Sequence, residues 1–505
     1  MNQLIFFIFS KDNHKAVIFK LLLLIVFIVV SFLITSISIA SAVTYYVATN
    51  GTDNSSCGST TSPCASIQYV LANKVAAGDT VKIKAGTYNI TRTIKIDNPT
   101  KHANITITAD DPNNRPLLDF GGISGGIRIG YYDSDSPAGD IRVPGVTISY
   151  LRLKGGPARD WNWNWVIRID GSEPVTIDHN EIFNTYSGIV LNVGKNAVIS
   201  NNKIYTMGPF ETDPNQAYGN GDGIAINNFG RRNAVASGWN EKIYIYNNEV
   251  YDAGADGIIL LNCFYKYIEI AYNNLHNNYE DGIDLKDSQY VRIHDNKLHD
   301  NWGDGIGSNN DYPSTDFGIW NNEIYKNGWL GISIQGGSND QKNWKIWNNL
   351  IYGNANNPPT WSPVGVQLNG SGHEFYHNVV YDNKGDYGLS GGGIIKNNIF
   401  FNNVKNISSG GTVDHNYIYP TSGSTLGTNS ITVSDPKMTN PANANFILLS
   451  SSPLIDAGIN VGITNDYIGT SRPQGAGFDI GAYEYPSGGG GDITPPSAPT
   501  GVTVS

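Results

Sequence analysis

Residues 281–302, DGIDLKDSQYVRIHDNKLHDNW, decide the fold. Apolar residues alternate with polar ones at Ile283 and Leu285 and again at Val291 and Ile293, which is the period of a strand with one buried face. Each run is short, so this unit cannot bury its apolar face alone. Coils stacked about 4.8 Å apart would supply the missing backbone partners and a shared core. The stretch therefore predicts one coil of a solenoid.

The second half of this unit recurs along most of the chain as a hexapeptide with a central Asn. The copies are DHNEIF (178–183), SNNKIY (200–205), YNNEVY (246–251), YNNLHN (272–277), HDNKLH (294–299), WNNEIY (320–325), WNNLIY (347–352), YHNVVY (376–381), KNNIFF (396–401) and DHNYIY (414–419). The last Asn of each motif falls at 180, 202, 248, 274, 296, 322, 349, 378, 398 and 416. Most intervals are 18 to 29 residues, and the gap of 46 indicates two coils or one coil with an insertion. We expect each Asn to lie in a turn, to tolerate left-handed backbone and to bond the equivalent amide of the next coil.

A second motif runs in phase with the first. It reads SGIVL (187–191), DGIAI (222–226), DGIIL (256–260), DGIDL (281–285), DGIGS (304–308), LGISI (330–334) and VGVQL (364–368). Leucine-rich repeats are excluded because their leucine spacing is absent, and calcium-binding nonapeptide rolls because the period is too long. The sequence predicts an all-β fold, a single-stranded right-handed parallel β-helix. We expect a helix in 66–74 to cover its N-terminal end and a closing segment, 451–485, to cover the other.

The two termini carry signals of export and of further modules. Residues 1–42 hold a basic start, an apolar run and a final Ala-Ser-Ala, which indicates a signal peptide or an uncleaved membrane anchor. Both alternatives place the β-helix, 43–485, outside the cytoplasm, secreted or attached to the cell surface. Residues 486–494 read as a Gly/Pro linker, and 495–505 resemble the start of a fibronectin type III domain.

Composition narrows the classes of function. The chain has 505 residues and a formal net charge of −11, which argues against binding nucleic acid by phosphate neutralisation. Cys57 and Cys64 lie close together in a Gly- and Ser-rich loop that a disulfide could join in an oxidising compartment. Cys263 is expected to be a buried thiol outside any disulfide, and the spacing of the three cysteines does not indicate a zinc site.

Acidic residues gather on one side of the predicted coil. Because Ile283 and Leu285 point inward, Asp284 and Lys286 point outward from the same strand. Stacking places Asp256 and Asp304 at positions equivalent to Asp281, with Glu280 beside it. Such carboxylates repel one another unless protons or a cation neutralise them, and calcium takes oxygen ligands of this kind. The alternative is that Asp-Gly is simply a turn dipeptide whose Asp bonds nearby amides. That alternative does not account for Asp284, which lies within a strand.

The segment YYVATNGTDNSSCGSTTSPCASIQYVLA…AGDTVKIKAGTY (45–88) resembles the N-terminal part of secreted β-helix proteins that include the pectate lyases of polysaccharide lyase family nine. The resemblance implies a calcium site formed by Asp256, Glu280, Asp281 and Asp284, bridging the protein to a uronate carboxylate. Glu280 replaces an Asp of the family pattern.

In those lyases the base is a lysine on the groove-facing strand one coil after the position of Asp284. Here that position reads Gly307, and the following coil offers Ser333. Lys286 is the nearby substitute for the base. Its alternative role is an ion pair with Asp284.

The sequence thus predicts a calcium-dependent polysaccharide lyase that cleaves an acidic, uronate-containing polysaccharide such as pectate by β-elimination, acting as a monomer. Asp304, Arg168 and Trp302 are expected to contact the polymer. Two alternatives remain open: a non-catalytic glycan-binding or adhesin-like surface protein, and a β-helix glycoside hydrolase that uses paired Asp residues.

Overall fold

The structure is a computed structural model that describes residues 41–131, 140–156, 165–194, 196–208, 221–227, 242–261, 263, 267–286, 288–308, 314–336, 341–357 and 363–486. The chain divides into two compact units, 1–43 and 44–505. Three predicted segments lie outside the described residues: nearly all of the signal peptide or anchor, most of the Gly/Pro linker and the fibronectin-like start. Within the described ranges, no helix is long and apolar enough to cross a membrane.

Three long parallel sheets form the second unit, and the chain visits them in turn, once per coil. Sheet A holds the strands Thr44–Val47, Thr80–Ile83, Thr106–Ala109, Val146–Ser149, Val175–Asp178, Ala197–Ser200, Ile243–Tyr246, Ile268–Ala271, Val291–His294, Gly318–Trp320, Lys345–Trp347, Glu374–Tyr376, Ile394–Lys396 and Thr412–Asp414. Sheet B holds Thr87–Asn89, Leu117–Asp119, Arg152–Lys154, Glu181–Thr185, Lys203–Met207, Glu249–Tyr251, Asn274–His276, Lys297–His299, Glu323–Tyr325, Leu350–Tyr352, Val379–Tyr381, Ile399–Phe401 and Tyr417–Tyr419. Sheet C holds Ile94–Ile96, Gly125–Gly130, Trp165–Ser172, Ser187–Gly194, Ile224–Asn227, Ile258–Leu261, Ile283–Lys286, Ile306–Ser308, Ile332–Ile334, Val364–Leu368, Tyr387–Gly391 and Ile407–Ser409. The predicted right-handed parallel β-helix is confirmed.

Strand alternation builds the core as the sequence predicts. Ile283 and Leu285 are fully buried inside the coil, and their equivalents stack above and below them in one continuous apolar cluster. Two minor pairs complete the strands: Ser314–Thr315 with Gln341–Lys342, and the antiparallel pair Met438–Asn440 with Asn445–Leu448.

A ladder of buried Asn side chains ties successive coils together at the turn from sheet A to sheet B. It comprises Asn180, Asn202, Asn248, Asn273, Asn296, Asn322, Asn349, Asn378, Asn398 and Asn416. The prediction of Asn274 at this position was wrong by one residue, since Asn273 donates to Asn296 and Asn274 begins the next strand. The left-handed backbone also falls one residue earlier than expected, for example at Asn247 and Asn321, which precede ladder residues.

A second Asn ladder lies five residues after the first, at the turn from sheet B to sheet C. Asn278, Asn301, Asn327, Asn354, Asn383 and Asn403 each bond the next member through their side-chain amides. The sequence analysis missed it, although an Asn follows the ladder residue by five positions in six consecutive copies. The first ladder thus fixes the turn into sheet B, and the second fixes the turn into sheet C.

The interval of 46 is one coil with an insertion. Asn202 donates its side-chain amide directly to Asn248 at 3.0 Å, so no further coil lies between them at this turn. The strands of the two coils pair directly in sheets A and B as well.

The N-terminal end carries the predicted helix, Ile67–Asn73, which Ser66 caps by accepting the backbone N–H of Tyr69. Ile67, Val70 and Leu71 on this helix are buried in the core of the β-helix. The Cys57–Cys64 disulfide is formed. Cys263 is buried, and its thiol donates to the carbonyl oxygen of Ile226 at 2.9 Å.

The closing segment packs on the outer side of sheet B. Leu454, Ile480 and Tyr483 join one apolar cluster with Leu350 and Val379, which point outward from their strands. The equivalent positions of earlier coils carry charges such as Glu323 and Lys297. This change from charged to apolar residues marks where the segment covers the sheet. A short 3₁₀ helix, Pro441–Asn443, precedes the cluster.

Candidate metal centre

Asp284 stands on the outer face of sheet C with its neighbours fixed by strand register. It pairs with Ile259 in the preceding coil and with Gly307 in the following coil. Its residue exposure is only 6%, unusual for a carboxylate that points away from the core. The strand Ile283–Lys286 thus holds a nearly buried carboxylate in the middle of a sheet face.

A column of Asp residues lies at the turn just before these strands. Asp256 Oδ1 accepts the backbone N–H of Asp281 at 2.9 Å, and Asp281 Oδ1 accepts that of Asp304 at 2.6 Å. Asp304 Oδ1 in turn accepts the N–H of Leu330 at 2.7 Å. Oδ1 of each of these carboxylates therefore accepts an amide of the following coil, 23 to 26 residues further along the chain.

Asp256, Asp281 and Asp284 nevertheless converge. One carboxylate oxygen from each lies within 4.8 Å of the other two. A point no more than about 2.8 Å from all three oxygens must then exist, close to the 2.3–2.6 Å at which calcium holds its ligands. Small adjustments of these side chains would bring them to ligand distance. The donor set, oxygen only and anionic, fits calcium in chemistry and in spacing.

Burial and mutual repulsion leave these carboxylates in an unfavourable state without a cation. Burial raises the pKa of Asp256 well above its ordinary value, and the charges of Asp284 and Asp281 raise it further. Burial, then the charge of Asp304 and that of Asp284, likewise raise the pKa of Asp281. Burial raises the pKa of Asp222, one coil before Asp256, to about 7. A divalent ion would relieve these costs.

Glu280 and Asp304 flank the three converging carboxylates. Glu280 is half-buried and lies outside the triplet, but its charge helps to raise the pKa values of Asp256 and Asp281. Burial raises the pKa of Asp304 to about 7, although hydrogen bonds from the Leu330 N–H and the Ser333 hydroxyl oppose the shift. The four residues predicted as metal ligands thus form one acidic region, of which three members converge on one point.

Lys286 Nζ lies 2.5 Å from Asp284 Oδ2, in the ion pair that the sequence analysis held as the alternative to a base. Burial alone would lower the pKa of Lys286, but Asp284, Asp256 and Glu280 outweigh it and raise the pKa above its ordinary value. In the described arrangement the lysine is a protonated counter-ion of the acidic region.

Gly307 occupies the position at which the family resemblance of residues 45–88 implies a lysine. A Cβ atom there would lie 2.2 Å from Asp281 Oδ2 and 3.5 Å from Asp304 Oδ2. Any side chain at 307 would therefore collide with the Asp281 carboxylate as it stands. The glycine and the carboxylate arrangement depend on each other.

The residues predicted to contact the polymer lie at different distances from this centre. Arg168 shares the outward column of Asp284 but lies four strands away, about 19 Å along the sheet. Its Nε donates to both oxygens of Asp170 at 2.9 Å, and its guanidinium lies 5.8 Å from the ring centre of Trp165. Arg168 is thus held at a remote part of the same face.

Trp302 lies beside the acidic region in an aromatic row. Its ring stacks on Tyr279 at 5.7 Å and contacts Trp329 at 5.2 Å, measured between ring centres. Tyr279 directly precedes Glu280 and is 40% exposed. The sequence analysis missed Tyr279, although it occupies the coil position of Trp302 one repeat earlier.

An apolar patch on the other side of Asp284 was also missed. Val190, Ala225 and Ile259 point outward from three successive strands of sheet C and form a cluster of their own with Trp165 and Leu261. Strand alternation alone could have revealed it. The face around the acidic centre is thus lined by aromatic and apolar groups as well as by charges.

Comparisons with known proteins agree with the fold. A family model described as the Pel9A-like right-handed β-helix region matches residues 45–240, and a general right-handed β-helix region model matches residues 165–384. No curated protein sequence matches the chain.

Several solved structures are similar to the chain. The complex of XylC with xylose is 13% identical with a TM-score of 0.51, covering 88% of this chain and 99% of that chain. Pectate lyase Pel9A is 18% identical with a TM-score of 0.46, covering 88% and 97%. The A-module of the mannuronan C-5 epimerase AlgE6 from Azotobacter vinelandii is 14% identical with a TM-score of 0.44, covering 71% and 91%. At these identities the likeness is one of fold.

Proposed function

We propose that this β-helix is a secreted, calcium-dependent polysaccharide lyase that cleaves a uronate-containing polymer by β-elimination. The observation that carries the proposal is the convergence of Asp256, Asp281 and Asp284 on the outer face of sheet C. Two buried carboxylates and one partly buried carboxylate, with an oxygen of each within 4.8 Å of the other two, are costly unless a cation neutralises them.

The proposed chemistry requires an acidified proton and a base. A bound calcium ion would draw electron density from a uronate carboxylate and make the neighbouring C5 proton more acidic. The base would take the C5 proton, a double bond would form between C4 and C5, and the C4–O bond would break with its electron pair on the departing oxygen, which would take a proton from water. The carboxylates of the acidic centre would hold the cation, and Glu280 would add negative charge beside it.

Lys286 is the proposed base, and its surroundings define when it could act. In the ion pair with Asp284 it is protonated and cannot accept a proton. Neutralising Asp284 and Asp256 would remove the two largest influences that raise its pKa. The lysine is therefore a base only in the cation-loaded protein.

The aromatic row would bind the polymer beside this centre. Tyr279 and Trp302 offer ring surface next to Glu280, and sugar rings pack on such surfaces through their apolar faces. Arg168, about 19 Å away on the same face, would pair with a uronate several sugars along the chain.

A second candidate is a glycan-binding protein without catalysis. Gly307 supports it, because the resemblance to the lyase family implies a lysine at this position, and the Asp281 carboxylate occupies the space that its side chain would need. On this alternative the acidic centre and the aromatic row would hold a uronate polymer through the cation without cleaving it.

An absorbance assay separates the two candidates. Purified protein is incubated with polygalacturonate or alginate, with calcium or with chelator, and the ultraviolet absorbance of unsaturated uronates is followed. The lyase proposal expects calcium-dependent absorbance that disappears in Asp284→Ala and survives in Asp300→Ala, a control whose side chain is 45% exposed. Binding to the polymer without new absorbance supports the second candidate, and reducing ends without absorbance would indicate hydrolysis.

A further inference from the structure

Lys286 is among the less exposed lysines on the outer face of this β-helix. Its side chain is 23% exposed, whereas Lys297, which pairs with Glu323 on sheet B, is 59% exposed. The Lys286 ammonium is directed at the acidic centre, since Nζ lies 2.5 Å from Asp284 Oδ2. It therefore places positive charge where the three carboxylates of the centre accumulate negative charge.

We propose that the Lys286 ammonium is a displaceable occupant of the cation site, which neutralises the acidic centre in the metal-free protein and must leave Asp284 when a divalent cation binds. The inference rests on the cation site of the proposed function. It adds a regulation of that site, because the lysine then sets the affinity for calcium.

Simple electrostatics leads to this exchange. A cation within ligand distance of the converging oxygens of Asp256, Asp281 and Asp284 would lie near the ammonium, and two positive charges so close repel strongly in a poorly hydrated site. Asp284 is the carboxylate that both cations need. Calcium can coordinate it fully only after the ion pair opens.

The released ammonium has a defined place to go. Lys286 lies on the outward side of its strand, two residues after Asp284, so its flexible stem can turn along the sheet face while the backbone stays in register. There it would face the polymer that the cation also binds. Calcium binding thus converts an internal counter-ion into a group that can contact a uronate.

The experiment is a calcium titration of the full chain by isothermal titration calorimetry at fixed pH and ionic strength. Lys286→Met keeps the length of the aliphatic stem and removes the charge, and we expect it to bind calcium at least about tenfold more tightly than the wild type. Lys286→Arg keeps the charge and should retain the wild-type affinity. Lys297→Met removes an equal charge from another face and should leave the affinity unchanged.

Several results would overturn the inference. These are equal or weaker calcium binding by Lys286→Met, an equal gain in Lys297→Met, or calcium binding by none of the proteins. Binding by Lys286→Met but not by the wild type would support it, with the lysine as a strong occupant. Melting curves of each variant in chelator establish that all are folded.

The absorbance assay keeps this inference separate from the lyase proposal. If Lys286→Met binds calcium more tightly than the wild type but the wild type forms no unsaturated product, the exchange is retained and the lyase proposal is refuted. If the wild type cleaves the polymer in a calcium-dependent way but Lys286→Met binds calcium with unchanged affinity, the lyase proposal is retained and the exchange is refuted.

Discussion

Replacing Asp281 by asparagine should stabilise the protein at neutral pH when divalent cations are removed. Asparagine keeps the oxygen that accepts the backbone N–H of Asp304, which lies 2.6 Å from Asp281 Oδ1. The substitution removes only the charge, which stands close to Asp256 and Asp284. Because burial and these negative neighbours raise the pKa of Asp281, the wild type carries a cost at pH 7 that the variant lacks.

The size of the effect follows from the same geometry. Two unit charges about 4.8 Å apart repel by about 3.5 kcal/mol at an effective dielectric constant of about 20. Asp281 can escape the repulsion by taking a proton, and protonating a carboxyl group of ordinary pKa 3.8 at pH 7 costs about 4 kcal/mol. The protonation cost of about 4 kcal/mol is the upper limit of the destabilisation that Asp281 can cause at pH 7. We expect Asp281→Asn to raise the free energy of unfolding by about 2–4 kcal/mol at pH 7.

The stability difference between the variant and the wild type must shrink as the pH falls. A raised folded-state pKa gives stability that is fully present below the unfolded value and is lost as the pH rises toward the folded value. The wild type should therefore approach the variant at pH 4, where we expect a difference below about 0.5 kcal/mol.

Urea unfolding in chelator, followed by tryptophan fluorescence at pH 4 and pH 7, measures this difference. Asp300→Asn, which changes a half-exposed carboxylate at a turn of sheet B, is the matched control and should show little change at either pH. A less stable Asp281→Asn at pH 7, or an equal gain at both pH values, would refute the reasoning. Added calcium should stabilise the wild type and leave the variant nearly unaffected.

Three further predictions concern the ladder, the glycine and the aromatic row. Asn296→Ala should lower the free energy of unfolding by about 3–4 kcal/mol, because it removes four buried hydrogen bonds. Asn274→Ala should lower it by about 1 kcal/mol or less. Urea unfolding compares the two variants, and equal losses would contradict the assignment of Asn273 to the ladder. Gly307→Lys should abolish calcium binding in calorimetry and cost about 1–3 kcal/mol in stability, because its Cβ displaces the Asp281 carboxylate; a gain of lyase activity would contradict this. Trp302→Ala should weaken binding of oligogalacturonate by about tenfold and leave calcium affinity unchanged, so an equal loss of both would argue against a separate role in sugar binding.

Most of the fold could be predicted from the sequence because each coil repeats the same alternation. Ile283 and Leu285 lie inside and Asp284 lies outside, as strand periodicity requires. The ladder residue of one coil was misassigned to Asn274, since two adjacent Asn residues satisfy the motif equally and only the backbone geometry selects Asn273. The position of the closing segment depended on tertiary packing, which local periodicity does not report.

The candidate site could be predicted in composition but not in detail. Register alone brings Asp256, Asp281 and Asp284 to neighbouring coils, and the structure places oxygens of all three within 4.8 Å of one another. Sequence reasoning could not determine that Lys286 turns toward Asp284, because a lysine stem reaches many positions from one Cα. It also could not show that the Asp281 carboxylate covers Gly307, which follows from the turn geometry. The metal-ligand roles and the role of Lys286 as a base stay predictions.

A crystal structure of the full chain grown with calcium tests the central claim most directly. Our account predicts anomalous density for one calcium ion bound by carboxylate oxygens of Asp256, Asp281 and Asp284, with Lys286 turned away from Asp284. Density for calcium elsewhere, or these carboxylates bonded only to backbone amides and to Lys286 at saturating calcium, would contradict it.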